Sequence, residues 1–199
     1  MGRRFVLLDR DGTLNVERNY LADADQLELL PGVVAGLTRL QELGCGLVVI
    51  TNQSGVGRGL IAPTRLAGIH RRLHSILSAV GIVLDGIYVC PHHPETPCHC
   101  RKPLTGLATQ AACDFGFSLN QSFLIGDKQS DIKLGRRVGA TTLLVRTGYG
   151  AESERVWRRE SGTETCGAPD FVVDDLLAAA EAIAVRLRAT DETRWRHVA

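Results

Sequence analysis

Phe5-Val6-Leu7-Leu8-Asp9-Arg10-Asp11-Gly12-Thr13 sets four apolar residues directly before two carboxylates two positions apart. A short apolar run followed by a turn signal reads as a buried strand. In open α/β sheets, ligands gather beyond the carboxyl ends of the strands. Asp9 and Asp11 would therefore stand at a ligand edge. Close carboxylates repel, so the pair calls for a cation or a shared proton.

Outward from this stretch, strand and helix alternate. Residues 31–43 carry Val34, Leu37, Leu40 and Leu43 at helical spacing, with Pro31 in the first turn and Gly44 as a stop. Leu47–Ile50 reads as a second strand, Pro63 to Val80 as a helix, and Gly86–Val89 as a third strand. A helix capped by Thr105 runs to Phe115, followed by a strand at 122–125, a short helix at 130–138 and a strand at 141–145. Residues 148–168 are polar and rich in Gly, Glu and Arg, which predicts a surface excursion. Phe171–Val173 is a candidate sixth strand before an Ala/Leu-rich helix over 174–188, and 189–199 reads as a frayed tail. Such alternation predicts an α/β, Rossmann-like, mostly parallel sheet with helices on both faces. One domain over residues 1–188 suits the length of 199 residues.

Acids and bases are interspersed, and the formal net charge is +1. That balance argues against a nucleic-acid partner, which calls for a basic stripe. No apolar run approaches the ~18 residues of a membrane span. Met1-Gly2-Arg3-Arg4 lacks the apolar region of a signal peptide. The reading is a cytoplasmic monomer whose six cysteines are thiols or metal ligands.

Each predicted strand end carries reactive groups. The first gives Asp9 and Asp11, the second Thr51-Asn52-Gln53-Ser54-Gly55, the third leads to Arg101-Lys102-Pro103, and the fourth gives Gly126-Asp127-Lys128-Gln129-Ser130-Asp131. Singly, these stretches read equally well as turns or helix caps. At successive strand ends of one parallel sheet they converge, and hard carboxylate oxygens beside a Lys point to Mg²⁺ and phosphate. Close like charges at Asp9 and Asp127 would raise the Asp11 pKa, as a proton donor requires.

Cys90-Pro91-His92-His93-Pro94-Glu95-Thr96-Pro97-Cys98-His99-Cys100 is the second signal. Two close pairs of soft or borderline ligands in a Pro-rich loop suit a closed tetrahedral Zn²⁺ site. Cys90, Cys98 and Cys100 are candidates with His92, and His93 and His99 are alternatives by spacing. Cys45, Cys113 and Cys166 are isolated; burial as small hydrophobes suits the first two. His70 and His74 stand four apart on a helix without nearby acids, which reads as a solvated face.

Taken together, DRDGT, TNQSG, RKP and GDKxxxD, in this order over residues 5–150, resemble the four motifs of the haloacid dehalogenase superfamily of aspartyl phosphatases. The resemblance implies that Asp9 is the nucleophile and Asp11 the general acid and base. It implies Mg²⁺ held by Asp9, the Asp11 carbonyl and Asp127, with Lys128 and Asp131 behind them. Thr51 and Lys102 would stabilise the phosphoryl group. The segments 14–30 and 91–100 are too short for the cap domains this superfamily inserts, which implies a capless fold. With the zinc loop, the resemblance narrows to a small-molecule phosphatase subgroup and favours His92 as the histidine ligand. It implies a small phosphorylated sugar as substrate, with Glu17, Arg18, Asn19, Tyr20, Asn52, Gln53 and Ser54 lining its site. Arg58 and Arg101 would meet a second phosphate. Histidinol-phosphate phosphatases share a short zinc loop, so their ester is the alternative. A non-catalytic zinc-stabilised module is the alternative of another class, and the intact acid set speaks against it.

Overall fold

The computed structural model describes residues 2–160 and 168–195. Six strands form one parallel sheet: β1 (Phe5–Leu8), β2 (Gly46–Asn52), β3 (Gly86–Cys90), β4 (Phe123–Gly126), β5 (Thr141–Val145) and β6 (Phe171–Val173), in the order β3-β2-β1-β4-β5-β6. The first strand is central. Leu8 is in register with Val49 of β2 on one side and Ile125 of β4 on the other. The order reverses on either side of β1, so the crevice opens at its carboxyl end.

Side chains alternate across the sheet and build two cores. Val6 and Leu8 join Leu37, Leu40, Ile69, Leu73 and Ile183 on one face, under α1 (Val33–Glu42), α3 (Pro63–Ser78) and α7 (Leu176–Trp195). Phe5 and Leu7 join Val48, Ile50, Leu107, Ala111 and Leu134 on the other, under α4 (Gly106–Phe115) and α5 (Gln129–Val138). Gly116 ends α4 at a φ of 64°, a left-handed conformation that costs glycine little. No cap domain interrupts 14–30 or 91–100; the first holds one turn of 3-10 helix at Ala24–Gln26. None of the described helices is long and apolar enough to cross a membrane.

The structure corrects several expectations. Within 148–168, Gly150–Glu160 is a helix, α6, and a four-residue helix not expected from the sequence, α2, follows β2 at Ser54–Gly57. Glu154 anchors α6, buried and bonded to Arg146 and Arg158. The last helix continues to Trp195, so the expected boundary at 188 falls inside it; residues 196–199 lie outside the described residues, as does Cys166. Cys45 is buried, but Cys113 is exposed, because the buried face of α4 runs through Leu107, Ala108 and Ala111.

Candidate active site

Past β1 the chain turns sharply. The Arg10 carbonyl accepts from the amides of Leu14 and Asn15 at 2.8 and 3.1 Å. Gly12 makes the turn possible: its φ is 84°, and a Cβ there would strike the Asp127 carboxylate. Asp9 leaves the sheet with its amide still bonded to Ile125 O at 3.0 Å.

Lys102 reaches the same point from the loop after β3. Its ammonium lies 2.7 Å from Asp9 Oδ1, 2.7 Å from Asp131 Oδ1 and 2.7 Å from the Ile50 carbonyl. Burial alone would lower the Lys102 pKa; the charges of Asp131 and Asp9 outweigh it and raise the value. Asn52 aligns this lysine through two amide bonds, donating to Lys102 O and accepting from Lys102 N at 3.1 and 3.0 Å.

Asp9, Asp127 and Asp131 each bring one oxygen to within 4.8 Å of the others, and all three residues are buried. Asp127 Oδ2 accepts from the Tyr149 amide at 2.9 Å, while Oδ1 is buried without a hydrogen-bond partner. Burial and then the Asp9 charge push the Asp127 carboxyl well above the usual carboxylate range. Hard oxygens and an unsatisfied buried carboxylate fit a small divalent cation. Asp131, expected behind the ligands, contributes to this cluster directly as well as to Lys102.

Asp11 departs from expectation. Its side chain turns onto Arg10, whose Nη2 donates to both carboxylate oxygens at 2.7 and 2.9 Å. Asn15 and Gln53 add bonds at 3.0 and 2.7 Å. Burial would raise this carboxyl, but the Arg10 charge and the bonds from Asn15, Arg10 and Gln53 outweigh burial, leaving it below its ordinary value. The expected upward shift is therefore reversed, because the nearest charge is positive.

A cavity of about 290 Å³ opens above these groups, lined by Asp9, Asp11, Thr51, Lys102 and Lys128 below and by Glu17, Asn19, Tyr20, Asn52, Gln53 and Ser54 at the sides. Tyr149, absent from the sequence reading because it opens the stretch taken for a surface excursion, closes one wall. Its hydroxyl donates to Asn19 at 2.7 Å, and Lys128 lies over its ring. Lys128 also pairs with Glu17 at 2.9 Å. Three expected residues do not line this cavity. Arg18 is exposed and paired with Glu28, Arg58 is exposed at the end of α2, and Arg101 donates to the His92 carbonyl.

The second cluster joins Cys90, His92, Cys98 and Cys100. Cys90 Sγ lies 3.8 Å from Cys98 Sγ, and His92 Nδ1 lies 3.6 Å from Cys90 Sγ and 3.1 Å from Cys100 Sγ. A tetrahedron with Zn–S bonds of ~2.3 Å has S···S edges of ~3.8 Å, so the sulfurs fit zinc and stand too far apart for a disulfide. His93 Nδ1 instead accepts from the Glu95 amide at 3.2 Å. The loop rests on α2 at Gly57, where a Cβ would strike the backbone of His92 and His93.

Known proteins resemble this chain in sequence and fold. The family model "HAD-hyrolase-like" matches residues 99–179. The D-glycero-D-manno-heptose-1,7-bisphosphate 7-phosphatase of Thermosynechococcus vestitus is 37% identical over 198 residues, 94% of this chain and 98% of that protein. The D-glycero-beta-D-manno-heptose-1,7-bisphosphate 7-phosphatase of Haemophilus ducreyi is 40% identical over 162 residues, 77% of this chain and 89% of its own length. The crystal structure of D,D-heptose 1.7-bisphosphate phosphatase from B. bronchiseptica, complexed with magnesium and phosphate, has a TM-score of 0.82 at 33% identity, covering 92% of this chain and 99% of that one. The chain belongs to the haloacid-dehalogenase-like hydrolase family and is a phosphoric monoester hydrolase.

Proposed function

We propose that this chain removes the 7-phosphate of D-glycero-D-manno-heptose 1,7-bisphosphate, as a cytoplasmic monomer serving heptose nucleotide synthesis. The observation that carries the chemistry is the buried meeting of Asp9, Lys102, Asp127 and Asp131 beneath the cavity. The substrate rests on the relatives named for it, at 37% and 40% identity.

Asp9 attacks phosphorus, forming an aspartyl-phosphate as the ester P–O bond breaks. Asp11 gives its proton to the leaving sugar oxygen, then takes one from the water that attacks phosphorus and releases Asp9 and inorganic phosphate. Lys102 offsets the phosphoryl charge, and Thr51 donates a hydrogen bond to it. Asp9, Asp127 and the Asp11 main-chain carbonyl would hold Mg²⁺, joined by Asp131. When bound, Mg²⁺ supplies the neutralisation that lets an anionic nucleophile approach a phosphate dianion. Zn²⁺ in the cysteine loop would be structural, ordering the segment that presents Lys102.

Phosphate release with Mg²⁺ from heptose 1,7-bisphosphate and from histidinol phosphate tests this reading. The heptose ester should have the higher kcat/KM by a wide margin. A histidinol phosphate preference overturns the substrate assignment, and equal release by wild type and Asp9→Asn overturns the mechanism.

A further inference from the structure

Arg10 stands between the two catalytic aspartates and is wholly buried. A guanidinium carries its donors in a rigid fork, and every buried donor needs an acceptor. On one side, Nε and Nη2 are taken up by Asp11 at 2.7–3.2 Å. On the other side, Nη1 meets Nε2 of His70 at 3.0 Å. His70 belongs to α3 and is half-buried, whereas His74 one turn on is exposed; the solvated-face expectation holds only for the latter. Burial and the Arg10 charge push the His70 pKa down to about 4, so the ring is neutral and its Nε2 lone pair faces the guanidinium.

Asp11 in this arrangement is an acceptor on every side, from Arg10, Asn15 and Gln53. A carboxylate so bonded holds no proton; to protonate a leaving oxygen it must disengage from Arg10 and carry the proton it took from the attacking water of the preceding turnover. The guanidinium it leaves must keep its place, or Asp11 has no fixed seat to depart from and return to in each cycle.

We propose that His70 is a positioning residue for the general acid, holding Arg10 so that Asp11 is aimed correctly. This rests on the reading of Asp11 as the acid. His70 touches neither phosphate nor metal ligands, so binding should be spared while protonation of the leaving group suffers.

The test compares single-turnover cleavage of two esters, the step before water attack, in wild type, His70→Phe, His70→Gln and Asp11→Asn. An alkyl sugar phosphate needs its leaving oxygen protonated; 4-nitrophenyl phosphate, whose leaving group is a stable anion, does not. His70→Phe fills the space without an acceptor and should lower the cleavage rate of the sugar ester about tenfold, a fraction of the ~10²–10⁴ a general acid contributes. The apparent affinity for the nitrophenyl ester and its burst of nitrophenolate, which comes before the water step that also uses Asp11, should stay near wild type, which also reports correct folding. His70→Gln, with a neutral acceptor oxygen, should restore most of the sugar-ester rate. If Asp11→Asn discriminates between the esters and His70→Phe does not, the inference is overturned. It is also overturned if His70→Gln is as slow as His70→Phe. If Asp11→Asn itself fails to discriminate, the acid assignment falls instead.

Discussion

Replacing Lys102 with methionine keeps the stem and removes the charge. In the native protein that charge sits 2.7 Å from both Asp9 and Asp131, with Asp127 in the same cluster. Removing one partner of a buried ion pair typically costs about 3–5 kcal/mol, because the other charge is left uncompensated. In Lys102→Met two carboxylates lose their partner at once and a third stands nearby, so the upper part of that range applies. For a chain of this size each kcal/mol moves Tm by about 2–4 °C, giving a fall of roughly 8–20 °C in metal-free buffer. Adding Asp131→Asn removes one uncompensated charge, so the double variant should melt well above the sum of the single losses. Mg²⁺ should raise the Tm of Lys102→Met more than that of wild type, since the cation becomes the main source of positive charge in the cluster. Scanning calorimetry with and without Mg²⁺ measures all three. A Tm for Lys102→Met within about 2 °C of wild type in metal-free buffer would refute the reasoning, since a buried charge left alone cannot be that cheap.

Two further outcomes follow from other parts of the molecule. Cys98→Ser should drop bound zinc below one per chain by metal analysis and speed amide exchange across residues 90–101; full zinc retention argues against the four-ligand site. The Glu154 carboxyl is held down at about 2, below its ordinary 4.5, by bonds from Arg146 and Arg158. A depressed carboxyl stabilises fully above its unfolded value and loses that contribution as pH falls through the folded one. Glu154→Gln should therefore be less stable than wild type by ~1 kcal/mol at pH 7, a value kept small by the part-exposed arginines. In urea titrations the gap should narrow steadily between pH 4.5 and 2; a constant gap would dissociate α6 stability from this carboxylate.

The sheet and the convergence of Asp9, Thr51, Lys102 and Asp127 were legible because a parallel sheet aligns all its strand ends on one edge. An apolar run followed by an acid or hydroxyl thus carries tertiary information in local form. The Cys/His cluster was legible for a similar reason, its members falling within eleven residues, Cys90 to Cys100. The partner of Asp11 was not. Like charges at Asp9 and Asp127 are visible in the motifs, but whether Arg10 folds inward or out to solvent depends on an acceptor on α3, sixty residues away. Helix α6 was hidden by composition: its sequence is mostly charged, and its buried anchor is a glutamate rather than an apolar stripe. Arg18 was placed by the resemblance and Arg58 and Arg101 by their fitness for a second phosphate, and neither ground says which way a loop faces.

The central place of β1 has a consequence for how the molecule is made. Its neighbour β2 follows within fifty residues, but β4 on its other side is synthesised only when residues 123–126 appear. Until then β1 is an edge, with unpaired backbone groups open to any passing strand. Asp127 and Asp131 arrive with β4 and α5, so Asp9 and Lys102 wait for most of translation without the rest of their cluster. Insertion of β4 therefore closes the exposed edge and completes the acid cluster in one event. A nascent chain that ends before β4 lacks two of the three carboxylates of that cluster, and in the same interval β1 is open to mispairing.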